Sequence, residues 1–136
     1  MCAASAMASD AKEEFSPFYI PATPAVVMQR PRVLKQGDAF AILDDFGNAQ
    51  ATGPSPEGYF FEDTRYLSRL LLTIDGFRPL LLSLFVKDDN RELWVDLTNP
   101  DLVVVDGIAL VKNSIHILST TVLGNDVLFR NLALRN

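Results

Sequence analysis

EGYFFEDTRYLSRLLLTIDG, residues 57–76, admits two readings, and the choice between them decides the fold. On a helix, Phe60, Thr64, Leu67, Leu71 and Ile74 would share one side. On strands, two apolar blocks flank a polar bend, and Asp75-Gly76 closes the stretch with a hairpin signal. The neighbourhood favours strands. Ala39 to Leu43 is a short apolar run ending in Asp44-Asp45-Phe46-Gly47-Asn48, a turn sequence. Leu80 to Val86 returns from Asp75-Gly76 and stops at Lys87-Asp88-Asp89-Asn90. Glu92 to Thr98 alternates, with Leu93, Val95 and Leu97 on one face and Glu92, Trp94, Asp96 and Thr98 on the other. Leu102 to Val105, Ala109 to Leu123 in one or two strands, and Val127 to Leu134 follow. Short turns make neighbouring strands antiparallel. The expected fold is an all-β antiparallel sandwich, incomplete at its C-terminal edge, with one helical turn at most over Thr64 to Leu67.

The chain has 136 residues, room for one domain. Six of its eight prolines precede residue 57, so residues 1–30 read as an irregular, partly disordered arm and residues 31–136 as the domain. The net charge is −5, with carboxylates spread throughout, which argues against nucleic acid as a partner. No apolar run reaches the roughly 20 residues a bilayer requires. One cysteine, Cys2, and one histidine cannot build a zinc site, and the expectation is no metal, no cofactor and a cytoplasmic setting.

Catalytic motifs fail on inspection. Asp45-Phe46-Gly47 lacks the rest of a kinase set, and Gly53 to Gly58 has phosphate-loop spacing without the following Lys-Ser/Thr. His116 has no evident nucleophile partner. Glycoside hydrolysis needs two carboxylates facing one bond, whereas adjacent Glu62 and Asp63 point apart on an extended chain. Asp63 and Arg65, sharing a face, instead predict a partly buried ion pair with Thr64 and Tyr66 around it, a structural or interface motif. Trp94, between Glu92 and Asp96, is either a sugar-stacking platform or part of an interface.

The same stretch resembles the N-terminal domain of bacterial amylo-α-1,6-glucosidases, the glycogen-debranching enzymes. The likeness rests on Gly58-Tyr59-Phe60, Asp63 to Ser68, Leu70 to Ile74 and Asp75-Gly76. It extends to Val33 to Asp38, to Asp96 to Asp101 and to Leu132 to Asn136, about residues 33 to 136 in all. The resemblance implies a β-sandwich that precedes a larger helical catalytic barrel, with the catalytic carboxylates in the barrel. No catalytic residue is therefore expected on this chain. The implied role is packing on a helical catalytic domain of the same or a neighbouring chain. The alternatives are α-glucan binding at Trp94, or self-association into a homo-oligomer through an open sheet edge near Leu132 and Leu134.

Overall fold

Short apolar runs broken by turn residues form twelve strands among the described residues. The computed structural model describes residues 30–51, 54–103 and 105–136. The arm expected over residues 1–30, Cys2 included, lies outside them except for Arg30, as does Gly53.

The strands are β1 (Arg32–Gln36), β2 (Ala39–Leu43), β3 (Ala49–Gln50), β4 (Gly58–Phe61), β5 (Thr64–Leu67) and β6 (Arg69–Leu70). They continue as β7 (Leu80–Val86), β8 (Glu92–Thr98), β9 (Leu102–Val103), β10 (Ala109–Leu110), β11 (His116–Leu123) and β12 (Leu128–Arg135). One four-stranded sheet runs β1-β2-β4-β5 and the other β12-β11-β8-β7, with small ladders β3-β6 and β9-β10 beside them. All pairings are antiparallel. The fold is an all-β sandwich.

The alternation in the sequence explains the core. In β8, Leu93, Val95 and Leu97 are fully buried, and in β11 Ile117, Ser119, Thr121 and Leu123 take the same side. Leu34, Ala39, Ala41, Leu43 and Tyr59 of the first sheet pack against this layer. Each fully buried Leu or Val contributes about 1.5–3 kcal/mol relative to exposure. The small Ala39 and Ala41 leave room on β2 for the larger side chains opposite. At one edge the Lys35 amide donates to the Asn90 carbonyl at 2.9 Å, joining β1 to the β7–β8 turn.

Two expectations need correction. Thr64 to Leu67 holds no helical turn; it is β5, paired with β4 across the two-residue loop Glu62-Asp63. The hairpin at Asp75-Gly76 exists only as a single bridge between Ile74 and Phe77. Leu80 to Val86 pairs with β8 instead of returning along Leu70 to Ile74. The earlier residues are already engaged: Leu70 pairs with Ala49, and the Leu72 amide donates to the Asn48 side chain at 3.1 Å. Buried Pro79 then lacks the N–H that a continuing ladder requires.

Candidate functional site

The acidic stretch at 62–66 is a hairpin tip. Glu62 and Asp63 have φ of +47° and +61°, the two left-handed positions of a type I′ turn, whose twist matches that of the flanking strands. Both residues are exposed, as are Thr64 and Arg65. The expected ion pair between Asp63 and Arg65 is not formed. Asp63 sits in the turn, while Arg65 lies back along β4, its guanidinium 4.9 Å from the centre of the Phe60 ring. Arg65 Nη2 donates to the Ser55 carbonyl at 3.1 Å, and Phe60 stacks on Phe40 at 4.6 Å. Tyr66 is exposed and tilts toward Tyr59, ring centres 6.4 Å apart. The motif's strictest requirement is Gly58: at φ +144° any Cβ there would overlap the Leu67 carbonyl oxygen.

Asp38, Glu62 and Asp63 border an open hollow of about 370 Å³ with Lys35 and Phe40. All three carboxylates are exposed. Among the described residues, no group of three or more His, Cys, Asp or Glu side chains is placed to hold a metal ion.

Trp94 lies on the outward face of the second sheet, 43% exposed, its indole N–H donating to Glu92 Oε2 at 3.1 Å. Phe85 sits directly opposite on β7 and Thr120 on β11, while Phe129 stands opposite Val122 farther along. Phe85 and Phe129 are both exposed. Polar pairs rim this apolar face: Lys87 bonds Glu92 at 3.0 Å, and His116 Nε2 lies 3.2 Å from Asp96 Oδ1. Glu92 is held below the usual carboxylate range by hydrogen bonds from Lys87 and Trp94.

The polar group that matters most to the fold was not singled out in the sequence. Asp44 Oδ1 accepts from the amides of Phe46 and Asn48, both at 2.8 Å. Buried Asn48 accepts at Oδ1 from the Leu72 amide and from Arg130 Nη1 at 3.1 Å. Arg130 also donates to Ser119 Oγ at 3.0 Å and to the Phe46 carbonyl at 3.3 Å. Burial pushes the Arg130 guanidinium down, and the Asp44 charge opposes that. Asp-x-x-x-Asn before a buried strand was the available signal; the partner on β12 had none.

A family model described as the N-terminal domain of some glycogen debranching enzymes matches residues 34–136. The chain belongs to that family. Comparison with curated proteins and with solved structures found no match. In this debranching-enzyme domain the segment Asp96 to Asp101 is explained by Asn99, which is fully buried and fully paired. Its Nδ2 donates to the carbonyls of Pro100 and Val111, and its Oδ1 accepts from the Ile115 amide at 2.7 Å. The Asp101 carboxylate accepts from the Lys112 amide at 2.8 Å. Both residues fold the loop between β10 and β11 back onto the end of β8, a structural task. No helix among the described residues is long and apolar enough to cross a membrane.

Proposed function

We propose that this domain is a non-catalytic module of a cytoplasmic, debranching-type glycoside hydrolase acting on α-glucan, and that it packs against and positions the helical catalytic domain. One observation carries the reading: the outer face of the second sheet exposes Phe85, Trp94 and Phe129 within a polar rim. A contiguous apolar face with a polar border is the usual signature of a protein contact. Aromatic residues at its centre are the ones that carry binding energy.

Mixing the chain with a separately produced helical catalytic domain of this family tests it. Trp94 emission should shift to the blue, and Phe85→Ser with Trp94→Ser should abolish the complex without lowering the melting temperature of the free domain. The isolated chain should release no glucose from a branched dextrin. Hydrolysis by pure chain, lost in Glu62→Gln or Asp63→Asn, would overturn the non-catalytic reading. Trp94 quenching by maltotriose in place of the partner would make the same face a sugar platform.

A second reading, self-association, rests on β12. It is an edge strand, and Leu132 and Leu134 lie on its inner side, opposite buried Ser119 and Ile117, yet Leu134 remains 65% exposed. Free edges of this kind recruit another strand. A mass that rises with concentration in light scattering, and that Leu134→Lys returns to the monomer value, would support it.

A further inference from the structure

The two carboxylates on the outer face of the second sheet are not equally served. Glu92 has a full cation at hand, Lys87 Nζ at 3.0 Å, and also accepts the Trp94 indole N–H. Asp96 accepts the Ser83 hydroxyl at Oδ2, at 2.9 Å, and its Oδ1 lies 3.2 Å from His116 Nε2. The lysine and arginine ion pairs among the described residues go to Asp45, Glu92 and Asp89, and none goes to Asp96. Its one possible counterion is the chain's single histidine.

The registers put Asp96 within the face. Ser83 flanks it on β7 and Leu118 on β11, one step along from the row Phe85, Trp94 and Thr120. A partner that covers Trp94 therefore covers Asp96 as well. Its side chain is 35% exposed, so water now serves what Ser83 and His116 leave.

Removing that water sets a charge problem. A carboxylate buried at a contact without a cation is strongly unfavourable, and pairing relieves it. A neutral imidazole offers Asp96 a hydrogen bond and no charge, whereas the protonated ring makes the pair neutral as a unit. Histidine is the side chain that ordinarily changes charge between about pH 5 and 8. The residues directly opposite His116 are Thr98 on β8 and Arg135 on β12. Thr98 does not titrate, and Arg135 keeps its proton and stands two strands away from Asp96. Asp96 is the one acid that faces the imidazole.

We propose that docking on this face is coupled to protonation of His116, so that the domain takes up a proton as the contact closes. The inference rests on the docking reading above; the Asp96–His116 geometry stands apart from it. Protonation is favoured in the complex. The added affinity is therefore full at low pH and is lost as pH rises through the midpoint of His116 in the complex.

The experiment is isothermal titration calorimetry of the full chain with a separately produced helical catalytic domain of this family, in buffers of different ionisation enthalpy. The Kd should fall about tenfold from about pH 8 to about pH 6, with net proton uptake between them. Asp96→Asn removes the charge that needs a counterion and keeps the shape of the side chain. It should bind more tightly than the parent at the alkaline end and lose the pH dependence, which separates this pair from titrations on the partner. His116→Gln should bind at every pH as the parent does at the alkaline end. A Kd that ignores pH, with no proton uptake, would overturn the proposal and leave the docking reading standing. An unchanged pH dependence in Asp96→Asn would overturn it too, by placing the titrating group elsewhere. No complex at any pH would sink the docking reading and this inference with it.

Discussion

Two acidic turns, Asp44 to Asn48 and Glu62-Asp63, look interchangeable in the sequence and are opposite in the molecule. The first turns its carboxylate inward. Asp44 caps two backbone amides, Asn48 is buried, and Gly47 packs beneath Leu93 and Val95, so water cannot serve the polar groups. The second meets its needs with left-handed backbone geometry and leaves both carboxylates in water. Charge density in a sequence therefore says little about which acid is structural. What decides is whether the turn is roofed by the facing sheet.

The comparison can be broken most decisively at Asn48. Asn48→Ala leaves the Leu72 amide and Nη1 of Arg130 without their acceptor, at about 1–3 kcal/mol for each orphaned donor. A total of about 3 kcal/mol should lower the melting temperature by on the order of 12 °C or more, read by circular dichroism. Arg130→Met in the Asn48→Ala background should cost less than the sum of the two single changes, since no buried charge is then stranded.

The next effect lies under the exposed turn, in its backbone. Gly58→Ala forces a Cβ into the Leu67 carbonyl at a disfavoured φ, and about 2 kcal/mol of lost stability in urea unfolding is the expected result. Replacing Glu62-Asp63 by Asn-Gly, the pair that type I′ turns prefer, should gain about 1 kcal/mol. A loss there would mean that the acidic pair makes contacts the exposed turn conceals. A smaller change is Arg65→Ala, about 0.5–1 kcal/mol for an exposed cation over an aromatic ring. Asp63→Ala should melt close to the parent; a large fall would restore the ion pair that the structure lacks.

These outcomes track what the sequence could express. β2, β7 and β8 coincide with the expected runs: Glu92 to Thr98 shows period-two alternation, because one sheet face is buried, while Ala39 to Leu43 and Leu80 to Val86 stand out as apolar runs between turn residues. β5 was obscured because Glu-Asp is an uncommon occupant of two left-handed positions, so the stretch read as a possible helical turn rather than a tight hairpin. The Asp63–Arg65 pair was inferred from alternation alone, and a two-residue loop places its second residue off the strand. The Asn48–Arg130 bond was illegible for another reason: its ends are 82 residues apart, and nothing local at either end announces the other.

That 82-residue separation also sets a schedule for biosynthesis. The β1-β2-β4-β5 meander has all its residues once Leu67 has left the ribosome, but the acceptor on Asn48 must wait for Arg130. At roughly 5–20 residues per second, the stretch from Leu67 to Arg130 takes roughly 3–13 s. Until β8 and β11 follow, a half-sandwich with Leu34, Ala41, Leu43 and Tyr59 unroofed stands on the nascent chain.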